Sequence, residues 1–303
     1  MLLRLGTRGS PLALVQANLV RDALLAAHGW AAHAIEIVPI RTTGDRVQDR
    51  PLAEIGGKAL WTKELDRALL AGEIDLAVHS MKDVETIRPA TIAIAAMLRR
   101  EDVRDRLIGA VSIDALPIGA RIGTSSPRRA AQMRRIRPDL CIVPLRGNVD
   151  TRIAKVAAGE ADATLLAAAG LARLGRPDVG AAISLDTLLP APSQGAVGIE
   201  ARADDVATRM LIAAIGDRET EICVLAERAL LAALSGDCHS PIAALATIEH
   251  DGIRLRAELL TGDGDEHVTT DRCGLNGDAE ETGAIARDLL ADASPRLRAL
   301  FGH

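Results

Sequence analysis

Read as alternating hydrophobic and polar positions, the first two thirds of the chain repeat themselves. Three phrases occur twice in the same order: LGTRGSPLALVQ (5–16) with IGTSSPRRAAQ (122–132), IVPIR (37–41) with IVPLR (142–146), and AGEIDLAV (71–78) with AGEADATL (158–165). Each first phrase is a short apolar strand, then Gly-Thr, then Ser-Pro opening a helical pattern. Ser10 and Ser126 suit the N-cap, and Pro11 and Pro127 suit the first helical position, where a missing N–H costs nothing. Each second phrase is a β-branched strand ending in Arg; each third is a helix stop at Gly, an acidic turn and another apolar strand. Strand and helix therefore alternate, which predicts two α/β domains built alike, each with a mostly parallel, buried sheet.

In open α/β sheets, ligands gather beyond the carboxyl ends of the strands, where loops and helix N-termini meet. GTRGSP and GTSSPRR place backbone N–H groups, hydroxyls and Arg8, or Arg128 and Arg129, at such helix starts, an arrangement suited to an anion. A capped helix explains either phrase singly, but the duplication with its arginines favours an anion site. LRGNVDTRIAKV adds Arg146 leaving a strand and Arg152 entering a helix that Asp150 is expected to cap. LLAAAGLARLG puts Arg173 in a helix directly after a buried strand. Planar guanidinium forks converging from several strand ends suit several carboxylates, or phosphates, on one ligand.

EIDLAVHSMKDVET runs from strand into loop, so His79, Lys82 and Asp83 emerge at the same carboxyl edge. Asp83 is the foremost candidate for a general acid or electrostatic group. A lone strand-end Asp is as often a helix cap. Lys82 beside it, and GGKALWTKEL upstream with Lys58 and Lys63, tip the reading toward a site. His79, at the end of an apolar strand, reads as a hydrogen-bonded structural histidine.

Composition narrows the function classes. At 303 residues and 48% hydrophobic content the chain can build two or three cores. A net charge of −5 and only Trp30, Trp61 and Phe301 as aromatics argue against nucleic acid, which needs a basic field and stacking platforms. No apolar run approaches the roughly 20 residues of a membrane span, and the N-terminal stretch carries Arg4 and Arg8, so a cytoplasmic protein without membrane association is expected. Lysine occurs only at 58, 63, 82 and 155, so Arg supplies most of the 36 basic side chains. The four cysteines (141, 223, 238 and 273) form no C-x-x-C pair. Cys238, in ALSGDCHSPIAAL, sits in a turn-forming stretch as a nucleophile, a metal ligand, a disulfide half or an idle thiol. Its neighbour His239 is poorly placed to share a proton with it, because adjacent residues on an extended segment project to opposite sides.

With GTRGSPLAL, GGK, VHSMKDV, GTSSPRRAAQ, LRGNVDTR, LPAPSQGAVGIE and GDCHSPI in order, the sequence resembles the porphobilinogen deaminase (hydroxymethylbilane synthase) family over nearly its whole length. The resemblance implies two similar α/β domains related to type II periplasmic binding proteins, plus a smaller α+β C-terminal domain. The implied boundaries are 1–95 with 196–214 for domain one, 98–192 for domain two and 218–303 for domain three. It implies a dipyrromethane cofactor held by a thioether at Cys238 and a site in the cleft between the first two domains, with no metal. There, four porphobilinogen molecules join head to tail with loss of ammonia, and water releases hydroxymethylbilane. Asp83 matches the family's catalytic aspartate, whose carboxylate assists proton transfer and stabilises the azafulvene cation left by ammonia. Each pyrrole carries an acetate and a propionate, and Arg8, Arg128, Arg129, Arg146, Arg152 and Arg173 match the arginines that pair with them. Lys82, Ser10, Thr124 and Ser126 match other binding positions. Gln194 matches the glutamine where the chain returns to domain one. Of these, Lys82, Thr124, Ser126, Arg128, Arg129 and Arg146 are assigned to the cofactor, and Arg8, Ser10, Lys58, Arg152, Arg173 and Gln194 to the substrate. A monomer without an obligate protein partner is expected. The chain departs from the pattern at Glu85, where KDV is commonly followed by Pro, and at Trp61, Glu54 and Asp237. A ligand-binding module without chemistry is the alternative that duplicated α/β domains leave open.

Overall fold

The computed structural model describes residues 2–42, 62–237 and 239–301. The chain divides into two compact units, Met1–Glu101 with Gly195–Glu221 and Asp102–Gln194 with Ile222–His303.

In the first unit, β1 (Leu3–Arg8) runs into α1 (Pro11–His28), followed by β2 (Ile35–Ile40). Further along come α2 (Lys63–Leu70), β3 (Leu76–Ser80) and β4 (Ile92–Met97). The second unit begins with β5 (Asp105–Ile108) and β6 (Arg121–Gly123), which leads into α3 (Pro127–Ile136). Next are β7 (Cys141–Val143), α4 (Val149–Ala157), β8 (Ala163–Ala167), α5 (Ala168–Arg173) and β9 (Ala181–Ala182). The chain then returns to the first unit as β10 (Val197–Arg202) and α6 (Val206–Ala213).

The two five-stranded sheets have corresponding orders, β2-β1-β3-β10-β4 and β7-β6-β8-β5-β9. In each, four strands run in one direction and one lies antiparallel between the third and the last: Val197 faces Ser80 in one sheet, Asp105 faces Ala167 in the other. In the first sheet that strand, β10, returns after residues 102–194, whereas in the second it is β5, which opens the unit; each sheet is mostly parallel, as the alternation predicts, with one reversed strand. The repeat extends to its details. Ser10 and Ser126 cap α1 and α3 by accepting from Ala13 N and Arg129 N, with Pro11 and Pro127 at the first helical position. Gly72 and Gly159, two residues beyond the ends of α2 and α4, both take left-handed φ (67° and 77°), which favours glycine. One local expectation is corrected: Asn148, not Asp150, caps α4, accepting from Thr151 N at 2.8 Å. Asp150 lies inside the first turn and pairs with Arg176 at 2.5 Å.

The last third forms an antiparallel sheet, β11 (Ile242–Glu249), β12 (Gly252–Leu260) and β13 (His267–Leu275), in that order. Its apolar residues Ala244, Leu255 and Leu259 pack with Leu230 of α7 (Arg218–Ala233) and Ile285 of α8 (Ala279–Asp292). The short helix α9 (Pro295–Arg298) adds Leu297 to the same core. The fold class is thus two alike α/β domains and a smaller α+β part. No helix among the described residues is long and apolar enough to cross a membrane.

Candidate functional site

In the first unit the carboxyl ends of β1 and β3 meet the start of α1. Arg8 closes β1, Ser10 caps α1, and β3 passes directly into a 3₁₀ turn, Met81–Asp83. These ends border an open pocket lined by Arg8, Ser10, Gln16, Thr62, His79 and Asp83 among others. Gln16 is buried and donates to Ser80 Oγ at 2.8 Å, tying α1 to the end of β3. Sequence reasoning placed Arg8, Ser10 and Asp83 separately, and the structure brings them into this one pocket. Lys82 sits in the same turn as Asp83. Lys58 lies outside the described residues. His79 is buried, with Nε2 3.2 Å from Glu200 Oε2.

The turn that carries Asp83 leans on Gly198 of β10, which pairs with His79. A Cβ at Gly198 would overlap Met81 Sδ and lie 2.8 Å from Met81 Cγ, and Met81 is fully buried. Gly198→Ala is therefore expected to cost about 1–3 kcal/mol by overpacking and to lower turnover by shifting the adjacent Asp83, as checked by urea unfolding and initial rates.

In the second unit the equivalent edge is built around a carboxylate that sequence reasoning missed. Asp105, at the start of β5, is buried; its two oxygens accept from Arg128 Nη2 at 2.9 Å and Arg129 Nη2 at 2.6 Å. Gln194 Nε2 adds a third hydrogen bond at 2.9 Å. Burial pushes the Asp105 carboxyl up, but the two guanidiniums more than offset it and hold it far below the usual carboxylate range. The only signal in the sequence was an aspartate at the end of the charged run RREDVRD, directly ahead of an apolar strand. Arg128 and Arg129, read from the sequence as charges at a helix start, are thus buried, 3% and 5% exposed.

Their other bonds fix them from several sides. Arg128 Nη1 donates to Leu189 O and to Gln132 Oε1, and Arg129 Nη1 to Leu165 O. Gln132 in turn donates to Glu258 of β12, which also pairs with Arg135. Among the described residues these ion pairs set three arginines, Arg128, Arg129 and Arg135, against two carboxylates, Asp105 and Glu258. Burial pulls the Arg128 guanidinium below its usual value, and Asp105 opposes this. The buried Nε atoms of Arg128 and Arg129 have no hydrogen-bond partner among the described residues. Spare N–H donors and clustered guanidiniums fit the carboxylates of a dipyrromethane.

Beside this cluster, Thr124 Oγ1 accepts from Ser126 N at 3.1 Å, and Ser126 caps α3. Arg146 follows β7, and Arg152 donates from Nε to Gly147 O at 2.9 Å across the turn that opens α4. Arg173 ends α5, just beyond β8. Arg128, Arg129 and Gln194 are therefore gathered on Asp105, with Thr124 and Ser126 at the start of the helix that carries the two arginines, while Arg146, Arg152 and Arg173 stand on other strand and helix ends of the same unit. Cys238 lies outside the described residues.

Comparison with known proteins adds to this geometry. Residues 3–210 match the family model described as porphobilinogen deaminase, dipyromethane cofactor binding domain, and residues 221–292 match that for its C-terminal domain. A porphobilinogen deaminase of Sphingopyxis alaskensis is 60% identical, with 99% of this chain and 96% of that protein covered. One from Paracoccus denitrificans is 52% identical, covering 97% and 95%. Among solved structures, a periplasmic substrate-binding protein of a Coxiella burnetii ABC transporter superposes with a TM-score of 0.44 at 15% identity, over 73% of this chain and 94% of that one. The matches span both α/β domains and the C-terminal sheet, at identities that leave no other assignment: the chain belongs to the porphobilinogen deaminase family.

Proposed function

We propose that this enzyme joins four porphobilinogen molecules head to tail onto a dipyrromethane primer held by Cys238, and releases hydroxymethylbilane by hydrolysis. Each addition forms one carbon–carbon bond between pyrroles and expels one ammonia; water cleaves the finished tetrapyrrole from the primer. The observation that carries this reading is the pocket in which Asp83, Arg8 and Ser10 meet at the carboxyl edge of the first sheet.

The residues divide the work by charge. Asp83 gives up a proton to the departing amine, and its carboxylate then stabilises the cation left on the substrate. A guanidinium holds a carboxylate with two parallel N–H bonds, so Arg8, Arg152 and Arg173 take the acetate and propionate arms of the incoming substrate. Ser10, Lys58 and Gln194 complete that set. Arg128, Arg129 and Arg146, with Lys82, Thr124 and Ser126, hold the carboxylates of the dipyrromethane, and the clustered arginines around Asp105 support this division. When bound, the dipyrromethane supplies the nucleophilic pyrrole carbon to which the first substrate is joined. The Cys238 thiol acts once, during maturation, and serves thereafter as a tether. The enzyme works as a cytoplasmic monomer without an obligate partner.

Intact mass spectrometry tests the proposal. Protein made with a supply of substrate should weigh more than its sequence by one dipyrromethane and redden with Ehrlich's reagent; Cys238→Ala should lose both. An unmodified mass, or reversible binding of dicarboxylates with no ammonia released from porphobilinogen, would favour a binding module instead.

A further inference from the structure

Arg88 follows the Asp83 turn, and its guanidinium is enclosed by three carboxylates from separate parts of the first unit. Nε and Nη2 donate to Glu200 Oε1 and Oε2, each at 2.8 Å; Nη1 donates to Glu85 Oε2 at 2.5 Å and Nη2 to Asp66 Oδ1 at 2.6 Å. Two of these carboxylates reach onward to the pocket. Glu85 Oε1 accepts from Thr62 Oγ1 at 2.6 Å, and Glu200 Oε2 lies 3.2 Å from His79 Nε2. Thr62 and His79 line the same pocket as Asp83. Burial works against the Glu200 carboxylate, but His79 and Arg88 more than offset it and hold its pKa at about 2, so this arm stays ionised at neutral pH.

Glu85 stands two residues after Asp83, at a position where the motif leads one to expect proline. Val84 before it is extended, with φ −90° and ψ 134°, the conformation a following proline would itself require. An ionic clasp thus occupies the place of a ring that would stiffen the turn covalently. We propose that Arg88 is a positioning residue for the reaction: through Glu85 and Glu200 it sets the Asp83 turn and the Thr62 and His79 side of the pocket. This rests on the role given to Asp83 above.

The test is steady-state kinetics on full-length, cofactor-loaded Arg88→Met, Arg88→Lys, Glu85→Gln and Glu85→Pro, with the folded fraction taken from circular dichroism. Arg88→Met should lower kcat by about tenfold or more and leave KM within about twofold, because misplacing a catalytic group acts on chemistry rather than on binding. Arg88→Lys should fall between it and the wild type, since one ammonium cannot serve three carboxylates in a fixed fork. If Arg88→Met does not fold, Glu85→Gln carries the test: its kcat should drop, and Glu85→Pro should recover most of the loss. An unchanged kcat in folded Arg88→Met overturns the proposal, as does a drop equal to the loss of folded protein, or an unchanged Glu85→Gln. Wild-type protein that fails to release ammonia from porphobilinogen would instead sink the reaction itself, so the two failures are distinct.

Discussion

Asp83→Asn is expected to keep the cofactor adduct but to lower kcat by about 10²- to 10⁴-fold, the usual contribution of a positioned acid–base group. Asparagine preserves the shape of the side chain, so the 3₁₀ turn and the pocket should persist, yet it has no proton to give and no charge to set against a cation. Substrate binding rests on Arg8 and the other arginines, so KM should change little. Rapid-quench measurement of a single addition, alongside intact mass, checks both halves. A kcat within about threefold of the wild type would remove Asp83 from its role.

Asp105→Ala should be the most destabilising single change in the second unit. It leaves Arg128 and Arg129 buried side by side with no carboxylate between them, and breaking such a pair from one side costs about 3–5 kcal/mol. Against a total stability of about 5–15 kcal/mol, much of the protein would be unfolded when warmed. Urea unfolding at neutral pH measures the loss, and pH dependence identifies its source. Because the folded state depresses the Asp105 pKa, its contribution is fully present above the ordinary carboxylate value of about 3.9 and is lost as pH falls toward the folded value. Wild-type protein should lose that increment on acidification, and Asp105→Ala should have none of it to lose.

How much of this was legible in the chain depended on distance along it. The caps at Ser10 and Ser126, the glycine stops, and the emergence of Asp83 from the end of a strand are decided within a few residues, and the pattern showed them. Arg128 and Arg129 were visible as charges at a helix start, but not as buried partners of Asp105, which lies 23 and 24 residues earlier. Arg88 and Glu200, 112 residues apart, gave even less warning. Glu200 was detectable only as one charged residue inside the apolar strand AVGIEAR, a hint of a buried partner that nothing nearby could name.

By itself, then, the sequence determined the duplicated strand–helix units, their capping and the edge at which chemistry-bearing side chains emerge, because hydrogen bonding within a turn and the burial of alternate positions act locally. The tertiary structure alone decided which antiparallel strand enters each sheet, that two of the expected ligand-facing arginines are buried against Asp105, and that Arg88 clasps the segment after Asp83. Those outcomes follow from desolvation: a charge taken out of water must find an opposite charge, and only the assembled sheets bring one within reach.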